Sequence, residues 1–332
     1  MRDLAAVVEK SRAEDAIDDL ISEGVYDDSR KVCEHDEETV ELPVTRKPKT
    51  TPVLDVIEQD TPERRRPDLE AHLRARGWSD DELARAPNSW AVVGSVVLVQ
   101  FGDCPRREEV GEALLELHSE ADTVLARGGI SGEHREPEVT VVAGSGDTET
   151  VHTEHGTKYA LDLREVMFAP GNQRERARMG EMVDPDERVL DMFAGIGYFT
   201  LPMARAGAQV TAVERNPTAF RFLLENAVLN DVTDRIDAYR ADCRDVDASA
   251  ERVVMGYYEA HEYLDTAMAA LESSGVLHVH ETAPENQLWE RPIERIRDAV
   301  GDRGREIEIL DRRRVKSHSE GVWHVVVDAR VE

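Results

Sequence analysis

The chain has 332 residues, enough for two or three domains. Its 69 acidic residues against 41 basic ones leave a formal net charge of −28, with six lysines beside 35 arginines. So acidic a composition sets the chain apart from the usual basic nucleic-acid binders, whose charge attracts phosphate. The acids are spread through segments with clear apolar periodicity, which argues against a disordered acidic tail. They point to a whole surface adapted to molar intracellular salt, where screening acts over a few ångströms and net charge says little about partners. Cys33, Cys104 and Cys243 are odd in number, far apart and without a C-x-x-C pair, so neither a disulfide framework nor a zinc site is expected. With no apolar leader and no run of membrane-spanning length, the expectation is a soluble, cytoplasmic protein in a reducing compartment.

Residues 1–45 read as a small module with an acidic helix from Ala13 to Gly24 and a strand over Glu38–Val44. Residues 46–87 are polar and proline-rich, a linker or clamp containing Arg64–Arg66 and a short helix from Pro67 to Arg76. Residues 88–165 form a small α+β domain. It has a strand over Ala91–Phe101, an amphipathic helix over Glu108–Glu120 and short strands at Thr140–Ala143 and Tyr159–Leu163.

Residues 166–332 alternate strand and helix from Met182 onward, the mark of a parallel sheet with crossover helices. The expected strands are Val189–Phe193, Val210–Glu214, Ile236–Ala241, Arg252–Tyr257 and Val276–Glu281. A terminal pair follows, Glu306–Leu310 and Trp323–Val331, joined across Arg312 to Gly321. A five-stranded parallel sheet with such a pair fits a Rossmann-like α/β sandwich of the methyltransferase type better than a dehydrogenase.

The stretch Arg188–Phe199 reads as an apolar strand ending at Asp191, a turn carrying Gly195 and Gly197, and then a helix. A dinucleotide fingerprint would place a third glycine where Thr200 stands. Asp191 beside the turn would repel a pyrophosphate and suits a cationic ligand such as S-adenosylmethionine. Asp191, Glu214 and Asp242 each close an expected strand, where nucleosides are held in such folds. Glu214 is assigned to the ribose diol. Asp242 is assigned to the adenine amino group, and the backbone amide of Cys243 to a ring nitrogen. The Cys243 thiol has no base near it in sequence and is not expected to be a nucleophile.

Upstream, Arg174, Glu175, Arg176 and Arg178 are either a solvated helix start or functional, an arginine clamping the methionine carboxylate and Glu175 taking a proton from the acceptor. The basic run Arg312–His318, with Arg64–Arg66 and Arg174–Arg178, favours contact with RNA. His278, His280 and His324 lie on or beside strands without a third ligand at metal-binding spacing, and read as core or surface histidines. No metal is expected.

The motifs D-M-F-A-G-I-G-Y-F-T-L-P from Asp191, E-R-N-P-T-A from Glu214, L-x-E-N-x-x-L-N, Ala241-Asp242-Cys243-Arg244 and the closing V-K-S-H-S-E-G-V-W-H-V-V-V-D together resemble a known family. These are the archaeal and eukaryotic tRNA enzymes that modify the purine next to the anticodon. The likeness runs over roughly residues 90 to 332 and more loosely over the N-terminal module. One branch methylates a guanosine ring nitrogen and carries a proline-rich motif after strand four. Here Met255-Gly256-Tyr257-Tyr258 and His278-Val-His280-Glu-Thr resemble the other branch, the wyosine-pathway aminocarboxypropyltransferases.

The resemblance implies S-adenosylmethionine as co-substrate, a tRNA-docking role for residues 88–165, and the anticodon region of phenylalanine tRNA as partner, with neither a membrane nor an obligate protein partner. It implies cofactor contacts at Ala169, Arg176, Glu214, Asp242 and Cys243, and Glu175 as base. Ala169 stands where relatives often have serine, and Cys243 where many have asparagine, so contacts there fall to the main chain. The rival readings are the guanosine methyltransferase and a non-catalytic RNA-binding protein retaining the cofactor fold.

Overall fold

The structure, a computed structural model, describes residues 3–59, 62, 68–132 and 136–332. The chain divides into two compact units, Met1–Ala84 and Arg85–Glu332.

In the first unit a four-stranded sheet runs in the order Cys33–Glu34, Thr39–Val44, Leu4–Glu9, Asp55–Glu58. The helix Ala13–Ser22 buries Ala16 and Leu20, which join the core made by Val8, Val40 and Leu42. Asp55–Glu58 pairs antiparallel with Leu4–Glu9, so the sheet draws in part of the stretch read as linker. The short helix expected from Pro67 runs over Leu69–Ala75, because the Asp68 side chain caps it by accepting from the Ala71 N–H at 2.8 Å. Pro67 and Arg64–Arg66 lie outside the described residues.

The second unit begins with a sheet of Trp90–Val93, Val96–Val99, Thr123–Ser131 and Glu136–Gly144, in that order, with the helix Arg107–Leu117 packed on it. The single strand expected over Ala91–Phe101 is a hairpin. Gly94 turns it with φ +57°, and a Cβ there would fall 2.1 Å from the Thr150 hydroxyl oxygen. A second hairpin, Glu149–Glu154 with Thr157–Asp162, follows.

The rest of the unit is the α/β sandwich expected for a methyltransferase-type fold. Its elements are α1 (Gln173–Met182), β1 (Arg188–Asp191), α2 (Thr200–Arg205), β2 (Gln209–Val213), α3 (Pro217–Leu229), β3 (Ile236–Tyr239), β4 (Ala250–Met255), α4 (Leu264–Ala270), β5 (Leu271–Pro284), α5 (Glu290–Gly301), β6 (Ile307–Ser319) and β7 (Val322–Val331). The strand order is β3-β2-β1-β4-β5-β7-β6, parallel through β5 and antiparallel thereafter. Alternate residues bury on opposite faces, as the period of a strand requires. Val189 and Val210 pack with Leu201 and Phe222 on one side, and Leu190 and Val253 with Leu264 and Ile296 on the other. The terminal pair differs from expectation in one respect. Arg312–Ser319 is not a connection but part of β6, and the turn into β7 is only Glu320-Gly321.

The L-x-E-N-x-x-L-N motif has a physical reason. Asn226 and Asn230, one helical turn apart on α3, bind the open edge of strand Thr157–Asp162 as a neighbouring strand would. The Asn226 amide accepts from the Ala160 N–H at 2.6 Å and donates to the carbonyls of Ala160 and Ile196, each at 3.0 Å. Asn230 accepts from the Lys158 N–H at 2.9 Å and donates to its carbonyl at 2.7 Å. Asn226→Leu strips partners from three backbone groups, one buried and two partly buried, each worth up to about 1–3 kcal/mol when left unpaired. We expect a loss of about 3 kcal/mol in denaturant unfolding at molar salt. A loss under about 1 kcal/mol, the ordinary net value of one hydrogen bond, would show that the edge strand stands without this clamp.

Candidate active site

A cavity of about 540 Å³ opens at the carboxyl ends of the parallel strands, where the strand order reverses between β1 and β4. Its innermost wall is the turn after β1. Gly195 sits at φ +57° and donates its N–H to Glu214 Oε2 at 2.8 Å. A Cβ at Gly195 would lie 2.4 Å from the Tyr198 ring. Glu214 Oε1 accepts the Asn216 N–H at 2.7 Å, and Asn216 in turn caps α3. Burial raises the Glu214 carboxyl above its ordinary value, against the pull of these backbone donors.

Asp191 does not line the cavity, contrary to the expectation from sequence. It is fully buried behind the turn, where its Oδ2 accepts from the Thr200 hydroxyl at 2.7 Å and its Oδ1 from the Phe193 N–H at 3.4 Å. The threonine at the place of a third glycine thus pins the start of α2 to the end of β1.

The cavity brings together Ala169, Arg176, Glu214, Asp242 and Cys243. Arg176 is buried, and its guanidinium is bidentate to Glu154 at 2.6 and 2.7 Å. It lies over the Phe168 ring at 4.7 Å and donates to the Ala169 carbonyl at 3.1 Å, so it fixes the main chain of that wall. Asp242 is held by Arg244 at 2.6 and 2.8 Å, whose side-chain hydrogen bonds are the main reason its carboxyl falls to about 2. Burial pushes the Cys243 thiol up to about 12, which removes it as a nucleophile near neutrality. Phe193, Tyr257 and Tyr263 cluster beside this pair, with ring centroids 5.0 and 5.2 Å apart about Phe193, a wall suited to a flat heterocycle.

Glu175 is not among the residues lining the cavity, and the role of base does not fit its position. Its carboxylate is buried and bound by Arg313 through Nε at 2.9 Å and Nη2 at 2.7 Å. The expected basic clusters also separate. In α1, Arg176 pairs with Glu154 and Arg178 with Asp311 at 2.8 Å, leaving Arg174 exposed. In β6, Arg313 points inward, while Arg312 and Arg314 are exposed, lying over Trp289 at 5.6 Å and Trp323 at 4.8 Å. Lys316 and His318 reach the cavity, as does Arg127 from the preceding sheet.

Two lining residues escaped the sequence reading as functional candidates. His280 and His324 pair across β5 and β7, with His280 Nδ1 3.0 Å from His324 Nε2. The signal was there in the alternation His278-Val-His280, which puts two polar rings on one face of an otherwise apolar strand. Among the described residues no group of histidine, cysteine and carboxylate side chains is arranged to hold a metal.

A family model described as the TRM5/TYW2 methyltransferase domain matches residues 150–310, and one described as the TYW2 N-terminal domain matches residues 69–148. The tRNA(Phe) (4-demethylwyosine(37)-C(7)) aminocarboxypropyltransferase of Pyrococcus horikoshii is 40% identical over 259 residues, 76% of this chain and 92% of that enzyme. The crystal structure of P. horikoshii TYW2 in complex with MeSAdo superposes with TM-score 0.69 at 36% identity, covering 79% of this chain and 97% of that one. That of Trm5b from Pyrococcus abyssi superposes with TM-score 0.76 at 30% identity, over 99% of each chain.

The buried Asp191 makes a pH test of the site. Burial, with a smaller push from Glu214, raises its carboxyl from 3.8 to about 6 against the bonds from Thr200 and Phe193. With the folded value above the unfolded one, its contribution to stability is full below the unfolded value and is lost as pH rises through about 6. Asp191→Asn removes that titration. Each pH unit between the folded and unfolded values corresponds to about 1.4 kcal/mol. The unfolding free energy of wild type relative to the variant should therefore fall by on the order of 2–3 kcal/mol between pH 4 and 7. A difference that stays constant over this range would refute the assignment.

Proposed function

The chain belongs to the family of tRNA-modifying enzymes built on the TRM5/TYW2 methyltransferase domain, and from that membership we infer its reaction. It is an S-adenosylmethionine-dependent transferase that moves the 3-amino-3-carboxypropyl group to a ring carbon of 4-demethylwyosine beside the anticodon of tRNA(Phe), releasing methylthioadenosine. The choice of branch is carried by the likeness to the P. horikoshii aminocarboxypropyltransferase over nearly the whole of that enzyme. As a tRNA-modifying enzyme it acts in the cytoplasm; no described helix is long and apolar enough to cross a membrane.

The residues of the cavity fit the co-substrate. A close backbone turn with a half-buried carboxylate beside it suits a ribose diol, which offers two donors to an acceptor-only group. In this reading Glu214 holds the diol and the Asp242–Cys243 corner meets the adenine against Phe193 and Tyr263. Arg176 and the Ala169 main chain border the methionine end, where the guanidinium has donors left beyond those given to Glu154 and Ala169. When bound, the co-substrate supplies an electrophilic carbon next to its sulfonium. What the protein does is orient it, since the sulfonium has three such carbons and attack needs an in-line approach at about 3 Å. Glu175 acts at one remove, by fixing Arg313 and through it β6 against α1.

A second reading has a specific observation behind it. Trm5b from P. abyssi matches over 99% of both chains, so ring-nitrogen methylation of guanosine remains the alternative to separate experimentally. The test uses S-adenosylmethionine labelled either in the methyl group or in the methionine carboxyl carbon, at high salt. One tRNA(Phe) carries the tricyclic precursor and another plain guanosine. Carboxyl label should enter the precursor tRNA while methyl label leaves as methylthioadenosine. Methyl label entering the guanosine tRNA would establish the other branch.

The base must be reached in a single-stranded loop, which brings RNA to the cavity mouth. Arg312 and Arg314, exposed and lying over tryptophan rings, are proposed to meet its phosphates. The double variant Arg312→Ala/Arg314→Ala should weaken tRNA binding and lower the slope of log affinity against log salt by about 1 for each phosphate no longer neutralised. An unchanged slope would move the docking surface elsewhere.

A further inference from the structure

The transferase reading leaves unstated which group takes the proton from the alkylated carbon, and the cavity contains a pair suited to it. His280 on β5 and His324 on β7 line the cavity and are 2% and 1% exposed. Their inner nitrogens share one hydrogen bond, His280 Nδ1 to His324 Nε2 at 3.0 Å. The outer nitrogens, His280 Nε2 and His324 Nδ1, have no hydrogen-bond partner among the described residues. A neutral imidazole has one N–H and one lone pair. Whichever ring donates in the shared bond, one outer nitrogen is then a bare lone pair and the other an N–H. Leaving both unpaired is costly, and the cost is recovered if the reacting nucleobase supplies the missing partners.

The surroundings hold the rings neutral. Burial acts first on both. Lys316, His318 and Arg313 then press on His324, lowering it to about 3, while His324, Arg313 and His278 press on His280, with Asp328 opposing. Phe199 packs on His280 at 5.1 Å and Tyr258 edge-on to His324 at 4.8 Å, so the pair sits in an aromatic frame. Gly256 makes room for that frame, since a Cβ there would lie 2.7 Å from the Phe199 ring.

Apart from His318, which is exposed at the end of β6 and serves as the control below, the other titratable groups at the cavity have tasks or the wrong protonation state. Glu214 is committed to the turn, Asp242 to Arg244, and Cys243 keeps its proton. Arg127, Arg176, Arg215 and Lys316 carry hydrogen-bond donors and no acceptor.

We propose that His280 and His324 act as a unit to accept the proton displaced from the ring carbon. In that step a carbon–carbon bond forms between the ring carbon and the methylene carbon next to sulfur. The carbon–sulfur bond breaks with its electron pair passing to sulfur, which becomes a neutral thioether. The ring carbon, now bearing both its hydrogen and the new substituent on a cationic ring, releases that hydrogen as a proton to the bare imidazole nitrogen. A carbon acid of that kind is strong enough for a weak base, so a depressed imidazole serves. The proton then leaves to solvent, and the shared hydrogen bond lets either ring hold it in the interval.

The inference rests on the transferase reading, and the test separates the two. Wild type, His280→Asn, His324→Asn and His280→Ala are assayed with carboxyl-labelled S-adenosylmethionine and precursor tRNA carrying hydrogen or deuterium at the reacting carbon. Calorimetry with S-adenosylmethionine reports whether each variant retains its fold and co-substrate site. Loss of the base should cut turnover by about 10²-fold with co-substrate affinity kept. A primary isotope effect should emerge that wild type lacks, and imidazole should restore turnover to His280→Ala. Wild-type turnover in both Asn variants would overturn the proposal, as would loss without an isotope effect or imidazole rescue, or the same signature in His318→Asn instead. Failure of wild type itself to transfer the carboxyl label would overturn the transferase reading, and the inference with it.

Discussion

A line of bonded side chains crosses the sheet from its antiparallel edge to its centre, and the placement of the site depends on it. Glu175 of α1 binds Arg313 of β6 at 2.7 Å, and Arg313 binds Asp328 of β7 at 2.5 Å. Asp328 meets His278 of β5 at 2.7 Å, His278 meets Arg252 of β4 at 2.6 Å, and Arg252 reaches Glu187, just before β1, at 2.8 Å. Arginine can only donate, so His278 Nε2 accepts from Arg252 and its Nδ1–H points to Asp328, which makes the ring neutral. Burial lowers the His278 titration in the same sense. The charges alternate along the line, so each buried ion has an opposite neighbour. Such a chain is weak evidence of net stability, but removing one member strands the next, at about 3–5 kcal/mol. It pins strand register across the antiparallel half through specific side-chain pairs.

That constraint decides what the neighbouring residues are free to do. Arg313 lies within the basic run but is spent inside the fold, and Glu175 is spent on Arg313. The next polar pair along β5 and β7, His280 with His324, sits one step nearer the cavity and has no ions of its own to complete it. The difference between the two pairs is one of supply. His278 has a carboxylate on one side and a guanidinium on the other, whereas each ring of the second pair has only the other ring. The first is therefore a cross-link and the second keeps unused hydrogen-bonding capacity beside the cavity.

The sandwich was legible because parallel strands buried on both faces write themselves as short apolar runs, and because Gly195, Gly197 and Asn216-Pro217 mark turns with steric or capping reasons. The place of Glu214 at the cavity was legible for the same reason, as an acid at a strand end beside a turn. Asp191 was misplaced because a strand-ending acid can point to either side of the turn; Thr200, which draws it inward, was noted only as a missing glycine. Arg176 and Arg313 could not be assigned from spacing, since their partners Glu154 and Asp328 stand 22 and 15 residues away and on other strands. The hairpin over Ala91–Phe101 was missed although Gly94-Ser95 is a pair that hairpin turns use, because the apolar runs on either side of it read as one strand. The His280–His324 pair depends on cross-strand register, which a single strand does not record.

How a chain of net charge −28 approaches a polyanion follows from the same geometry. In molar salt the repulsion between distant charges is screened within a few ångströms, so the acids over the rest of the surface exert little force on an RNA held at one place. What acts there is the local set. The guanidinium groups of Arg312 and Arg314 lie over the indole rings of Trp289 and Trp323 at 5.6 and 4.8 Å, and a guanidinium can pair bidentately with a phosphate at close range, where salt screens least. The preference for arginine over lysine in the composition has a reason in this setting. A planar, weakly hydrated cation that stacks on aromatics keeps part of its affinity at close range when long-range attraction is gone. In the proposed docking mode, a few close-range contacts from Arg312 and Arg314 take the place of long-range attraction.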